Sequence, residues 1–417
     1  MKLNLTKFKA YIYIYILSCT AIFAQPSDAW KSYLSSHDLN SPVGWATVDG
    51  SVTGGEGGSV VTVSTKADLL SNLKSSKKMV IYVKGTIEFS GLEEVKGVSD
   101  KTVIGYEGAT LTNPTHTSTV KNTGILIFKG CKNIIIRNLT FKAAGAYDID
   151  GNDNLCLQSC QRVWIDHCDF QDGVDSNLDC NHASDYIAVT WCRFRYLIDP
   201  WAGGETDAHC FSSTWGGSDK NESEDGGHLN TTFANCWWDE GCIERMPRVR
   251  FGKVHVVNCL YSSNDTKYCI GLGYKASVYV ENSAFTYSNS KAKIYKNPGS
   301  LTDHVIVLKG CKGASDETYT KGSYTSFTPS NYYTYKAFAA SDVKSVLTAS
   351  NGAGATLKVG ISKTNATNDI EADATVVSTT WHDILGKQVL APTHKGLYIK
   401  SETLSNGTLR QTKVLVK

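Results

Sequence analysis

Between residues 134 and 285 one short pattern of apolar and polar positions returns again and again. An alternating apolar run is followed by a polar residue, a small residue, one more residue and an aromatic. It reads Ile134 to Phe141, Val163 to Phe170 and Ile187 to Phe194, then Thr231 to Trp238, Val254 to Tyr261 and Val278 to Phe285. The closing aromatics are spaced by 29, 24, 44, 23 and 24 residues. The long interval holds a Gly- and Ser-rich insertion around Gly203 to Gly227. A period near 24 with one short strand per repeat fits a coil of a parallel β-helix. A leucine-rich repeat would need a Leu framework that is missing, and no amphipathic 3.6-residue period supports helical repeats.

Aligning the aromatics puts other residues into columns. Leu139, Cys168, Cys192, Cys236, Cys259 and Ser283 stand two positions earlier. Asn138, His167, Trp191, Asn235, Asn258 and Asn282 stand three positions earlier. Stacked rungs lie ~4.8 Å apart, so these columns read as ladders. The cysteines read as small core hydrophobes, because parallel stacked side chains suit a disulfide badly. Cys131 and Cys160 share a further column. No Cys and His set completes a zinc group. The asparagines read as hydrogen-bonding columns at bends.

The chain ends differ from this middle. Lys2, Lys7 and Lys9 precede an apolar run from Tyr11 to Ala24, the order of a secretory signal with cleavage after Ala24. The run is too short for a comfortable membrane span, and no later stretch resembles one. After Gly352 to Ala355 come short strand-like runs, Lys395-Gly396-Leu397-Tyr398-Ile399 and Lys413-Val414-Leu415-Val416-Lys417 among them. They predict a small C-terminal β-sandwich over 356–417. The expected organisation is a signal segment over 1–24, a β-helix over 25–355 and this module.

Composition changes the picture little. The chain of 417 residues carries 42 basic and 40 acidic side chains, a net charge of +2. Loss of the three N-terminal lysines takes it to −1, since +2 − 3 = −1. Nothing global points to nucleic acid, so any taste for charged ligands is local.

Local charge falls on one phase of the repeat. Asp153 precedes Phe170 by 17 residues, Asp175 and Asp179 precede Phe194 by 19 and 15, and Arg245 precedes Tyr261 by 16. Similar phase places them on neighbouring rungs of one face. Clustered carboxylates call for a cation, and oxygen ligands on an exported chain favour calcium; a solvated acidic surface is the alternative by phase alone. Arg245-Met246-Pro247-Arg248-Val249-Arg250 puts three arginines in six residues, which suits a carboxylate-bearing polyanion. His167, in an apolar strand, reads as a structural residue.

Val163-Trp164-Ile165-Asp166-His167 resembles the tryptophan-aspartate-histidine signature of the pectate lyases of polysaccharide lyase family 1. Asp175-Ser176-Asn177-Leu178-Asp179 resembles that family's second acidic segment. Arg245 to Gly252, with Val254-His255-Val256-Val257-Asn258, resembles its arginine-proline-arginine signature. Order and spacing agree over roughly 43 to 355. The resemblance implies an all-β, right-handed parallel β-helix that cleaves de-esterified pectin by β-elimination. It implies Arg245 as the base and Arg250, with neighbouring Arg248, as holders of substrate carboxylate. Asp153, Asp175 and Asp179 match its Ca2+ ligands. Arginine holds its proton tightly, so alkaline pH should favour the reaction.

Two departures stand out. A further calcium aspartate found in some members is replaced by Gly151, with Asp150 beside it. The family's basic residue after the second acidic segment has no equivalent in Tyr196 to Pro200 or in His209-Cys210-Phe211; Arg195 and Lys220 are the nearest substitutes. A binding or adhesion protein without turnover, and a lyase for methyl-esterified pectin, are the competing functions. The tail resembles the sorting domain of the bacterial type IX secretion pathway, with a carbohydrate-binding module using Trp381 and Tyr398 as its competitor. The expected partners are an acidic polysaccharide, pectin or polygalacturonate, and the secretion machinery. The expected product is a secreted or cell-surface bacterial monomer.

Overall fold

A computed structural model describes residues 40–206, 208–359, 376–383, 388–392, 394–404 and 409–416. The signal segment expected over 1–24 lies outside the described residues. The chain divides into two compact units, Met1–Gly360 and Ile361–Lys417.

The first unit is a stack of coils whose strands form three sheets. The long sheet has eleven strands, parallel except for the last, Glu317–Lys321, which runs antiparallel. It contains the recurring apolar runs, for example Lys132–Arg137, Gln161–Asp166 and Asp185–Thr190, paired in register. A second sheet of eight short strands carries the closing aromatics, and a third of eight carries the candidate chemistry. Strand pairing in all three repeats the same coil order, which is the parallel β-helix expected from the period.

The closing aromatics form one buried stack. Ring centroids are 5.0 Å apart for Phe141 and Phe170, 5.2 Å for Phe170 and Phe194, and 5.5 Å for Phe194 and Trp238. The stack continues through Tyr261 to Phe285 at 4.8 and 4.7 Å. Near-parallel rings at the strand spacing follow from in-register pairing of identical positions. Beside them Cys168, Cys192, Cys236 and Cys259 are fully buried, and all twelve described cysteines are free. Each of these four thiols donates to carbonyl groups of its own coil or the one before, as Cys236 does to Val189 O at 3.3 Å.

The asparagine column has a backbone cause. Asn138, His167, Trp191, Asn235, Asn258 and Asn282 all have φ between 46° and 58°. Each coil turns at this point through the left-handed region, which asparagine tolerates better than most residues. Asn138 Nδ2 donates to Gly105 O at 2.8 Å, and Asn258 Nδ2 to Asn282 O at 2.9 Å. His167 and Trp191 take the same turn while stacked at 5.5 Å. Asp166 accepts from Arg137 Nε at 2.6 Å and lies 2.7 Å from His167 Nδ1. His167 is therefore a structural residue.

The N-terminal end of the coil is closed by a helix, Lys66–Leu73, whose Thr65 side chain accepts from Asp68 N and whose Leu69 and Leu73 enter the core. Apolar faces left outside the long sheet are covered too: Ile135, Trp164 and Ala188 pack under Ala46 and Val52. Among the described residues no helix is long and apolar enough to cross a membrane.

The second unit is a four-stranded antiparallel sheet built from Val376–Asp383, Gln388–Val389, Gly396–Leu404 and Leu409–Val416. One sheet of the expected sandwich is thus present, and no second is seen among the described residues.

Candidate active site

The third sheet supplies the site through the outward-facing side chains of its strands and the loops that lead into them. Register places Cys156 beside Asp179, Cys180 beside Trp215, and Thr214 beside Arg248. Side chains alternate along a strand, so Leu178 and Cys180 enter the core while Asp179 faces out. Val249 is likewise buried and Arg248 faces out. Asp179, Thr214 and Arg248 therefore follow one another along the outer face.

They line a cleft of about 400 Å³. One wall is acidic, with Asp148, Asp150, Asp175, Asp179 and Glu205; the other is basic, with Arg245, Arg248 and Arg250. Asp153 is buried behind them. The residues singled out in the sequence are thus brought together. Asp148, Glu205, His209 and Thr214 join them without having been singled out as site residues. His209 and Glu205 sit in or beside the insertion that breaks the repeat, so phase could not find them.

The carboxylates perturb one another. Burial raises Asp153 well above the usual carboxyl range, and the charges of Asp179 and Asp175 push the same way. Asp179 is pushed up to about 6 by burial, with Asp175 adding and Ser176, Thr214 and Arg245 opposing. Its Oδ1 accepts from Ser176 Oγ at 2.6 Å and Thr214 N at 2.8 Å. Asp175 Oδ1 lies 2.6 Å from His209 Nε2, and His209 Nδ1 lies 3.0 Å from Asp148 Oδ1.

Oxygen donors, mutual repulsion and one orphan atom fit a hard cation. Asp153 Oδ1 is buried without a hydrogen-bond partner. Asp153 and Asp179, both raised and both facing the charge of Asp175, would be stabilised by a divalent ion between them. Among the described residues no three of these side chains already stand in ligand geometry. Asp153, Asp175 and Asp179 could offer oxygen ligands to such a cation.

The arginines are individually placed. Arg245 has φ 57°, its Nη1 lies 3.4 Å from Thr214 Oγ1, and its guanidinium lies 4.3 Å from the Phe211 ring centre. Burial pulls Arg248 down to about 10, and the charges of Arg250 and Arg245 add to that. Arg248 Nε is buried without a partner. Arg250 Nε donates to Asp219 Oδ1 at 2.7 Å, and its Nη1 to Gly216 O. Two glycines give these side chains room. A Cβ on Gly271 would meet Arg248 Cγ at 2.9 Å, and one on Gly273 would meet Arg250 Cγ at 2.5 Å.

The departures from the family pattern have structural counterparts. Phe211 pairs with Ser176 on one side and Glu244 on the other, so an aromatic ring occupies the rung between the acidic segment and the arginine segment. Arg195 does not substitute for the missing basic residue: its guanidinium is bound by Asp169 at 2.7 and 3.2 Å. That pair lies on the sheet of the closing aromatics.

Comparison with known proteins bears on the fold and the family. The profile of the family described as Pectate lyase matches residues 33–356. Pectate lyase plyB of Emericella nidulans is 31% identical over 321 residues, covering 75% of this chain and 88% of that protein. A pectate trisaccharide-lyase of Thermotoga maritima is 35% identical over 237 residues, covering 54% of this chain and 58% of that one. Among solved structures, a Bacillus subtilis pectate lyase mutant superposes with TM-score 0.58 at 21% identity, over 76% of this chain and 97% of the other. A pectate lyase bound to hexasaccharide superposes with TM-score 0.55 at 22% identity, over 77% and 98%. These superpositions bear on the fold, while the family match spans both the fold and the charged cleft. The chain belongs to the pectate lyase family and is a polysaccharide lyase.

Proposed function

We propose that the protein is a calcium-dependent pectate lyase that cleaves de-esterified polygalacturonate by β-elimination. The observation that carries this reading is the divided cleft, with carboxylates along one wall and three arginines along the other. A polymer bearing a carboxylate on every sugar can meet both walls only if a cation lies between its own carboxylates and the acidic wall. Calcium held by Asp153, Asp175 and Asp179 would supply that bridge and stabilise charge developing on the uronate carboxylate.

The chain's own residues supply the rest. Arg248 and Arg250 bind substrate carboxylate, and the grip of Asp219 on Arg250 fixes one of them in place. Arg245 removes the proton next to the carboxylate. The electron pair of that C–H bond forms the C4=C5 double bond, the C4–O bond breaks, and the departing oxygen takes a proton from water. The products are a shortened chain and a 4,5-unsaturated oligogalacturonide. Arginine holds its proton tightly, so the reaction should favour alkaline pH.

Export by a signal segment over 1–24 and sorting by the C-terminal module remain part of this proposal. They rest on the basic and apolar order of the first residues and on the tail's resemblance to type IX sorting domains. The expected partners are then the acidic polysaccharide and the secretion machinery. Ultraviolet absorbance of unsaturated ends tests the activity, with polygalacturonate at alkaline pH, in calcium and then in excess chelator. Calcium-dependent absorbance is expected. No absorbance from folded protein over a wide pH and substrate range would leave a polysaccharide-binding protein as the better reading.

A further inference from the structure

The three aspartates of the acidic wall are not held alike. Asp153 is fixed by burial. Asp179 Oδ1 is anchored twice, by Ser176 Oγ at 2.6 Å and Thr214 N at 2.8 Å. The side chain of Asp175 is 24% exposed, and among the described residues it hydrogen-bonds only to His209, whose Nε2 lies 2.6 Å from Oδ1. A part-exposed carboxylate without such a bond spreads over several rotamers. Ordering it for a ligand then costs side-chain entropy.

His209 itself has little freedom. Its side chain is nearly buried, and its ring centre lies 4.3 Å from that of Phe211. Its carbonyl accepts from Phe211 N at 2.9 Å, and Phe211 is bridged to Ser176 and Glu244 on the neighbouring rungs. The second ring nitrogen, Nδ1, lies 3.0 Å from Asp148 Oδ1 but makes no hydrogen bond. A neutral imidazole has a single N–H. The geometry therefore puts that proton on Nε2, where Asp175 accepts it. Asp148 stays beside the ring because the insertion is tied to it: Glu205 N donates to Asp148 O at 2.8 Å. Gly204 allows this approach, since a Cβ there would meet Asp148 O at 2.4 Å.

We propose that His209 is a positioning residue for cation binding: its Nε2–H fixes Asp175 Oδ1 and leaves Oδ2 as the oxygen offered beside Asp153 and Asp179. The inference rests on the calcium reading above and gives a role to a side chain that is not itself among the proposed ligands. Partners of this kind orient a ligand and set the affinity of a site, by roughly 10- to 100-fold. The insertion thereby acts on both walls of the cleft, since Asp219 of the same segment holds Arg250.

The test separates the two ring nitrogens. In His209→Gln the amide nitrogen takes the place of Nε2 and still donates to Asp175. In His209→Asn it takes the place of Nδ1 and falls short. Calcium is titrated calorimetrically into the full chain and into both variants, without substrate and at one pH. The asparagine variant should bind calcium at least about tenfold more weakly than wild type, and the glutamine variant within about threefold of it. The rise in melting temperature on adding calcium should follow the same order, while melting in excess chelator reports lost packing alone. If the asparagine variant does not fold, His209→Ala is read in its place. Wild-type affinity in the asparagine variant, or a loss in the glutamine variant as large, would overturn the proposal. Failure of the calcium reading looks different: the wild type itself then takes up no calcium, and the inference falls with it.

Discussion

The guanidinium of Arg245 lies over an aromatic ring, 4.3 Å from the centre of Phe211, beside an otherwise ionic cleft. The ring gives the guanidinium a surface to pack on, whereas Arg250 is held by the carboxylate of Asp219. Replacing Arg245 by Lys keeps the charge but shortens and reorients it. Turnover on polygalacturonate should fall by ~10³-fold or more, within the range that a proton-transferring side chain supplies, while the dissociation constant changes only a few-fold. Retained turnover would remove Arg245 from its role. Phe211→Leu should lower kcat by about fivefold through loss of the ring surface that orients Arg245, and Phe211→Tyr should restore it.

Asp153 makes a separate prediction possible because its costs and benefits fall in different conditions. In chelator it is a buried carboxyl, raised by burial and by Asp179 and Asp175, with an oxygen that bonds to nothing. Asp153→Asn should therefore raise the melting temperature in chelator, by roughly 2–4 °C if ~1 kcal/mol is regained. With calcium the order should reverse, and the calcium concentration giving half-maximal activity should rise at least tenfold. A melting temperature lowered to the same extent with and without calcium would mean that Asp153 is only structural.

Much of this was legible because a β-helix repeats. The apolar runs, the aromatic stack and the buried cysteines follow from one period, and each column has a single environment. The third sheet was not legible. Its strands shrink to two residues at Thr214–Trp215 and Arg248–Val249, too short to show alternation. Phase brought Asp153, Asp179 and Arg245 together only roughly, since Asp153 precedes its strand and Asp179 lies within one. His209 and Phe211 escaped because they lie within the insertion, which has no part in the period. Their part in the cleft follows from distances to Asp175 and Arg245 that no spacing encodes.

The bend column carries a stability prediction. Asn258 turns at φ 51°, donates to Asn282 O at 2.9 Å and to Phe338 O at 2.7 Å, and accepts from Phe338 N at 3.0 Å. It thus ties one coil to the next and to the segment packed outside them. Asn258→Ala loses three bonds and strains the turn, for a cost of about 3–4 kcal/mol. Asn258→Gly loses the same bonds but relaxes the backbone, so it should be the milder change by about 1 kcal/mol. Urea unfolding of both variants checks the order, and an alanine variant as stable as the glycine one would show that the turn carries no strain.

Acid sensitivity should come in part from His255, on the long sheet away from the cleft. It is fully buried, with Nε2 2.9 Å from Glu281 Oε1 and Nδ1 2.9 Å from the Tyr333 hydroxyl. Burial holds its pKa below the ordinary 6.5, although the bond to Glu281 opposes that. Burial pushes Glu281 up, but bonds from His255 and Tyr335 more than offset this and leave it below the ordinary 4.5. Both folded values are depressed, so both contributions are complete above the unfolded values and are lost as pH falls. For His255 the loss begins below about pH 6.5, where the unfolded chain takes up its proton first. Glu281 adds its own loss below about pH 4.5. His255→Gln should cost about 1 kcal/mol at pH 7 through the weakened bond. It should also flatten the decline in stability between pH 6.5 and 5 relative to wild type. Parallel pH profiles for the two proteins over that interval would assign the decline to other histidines.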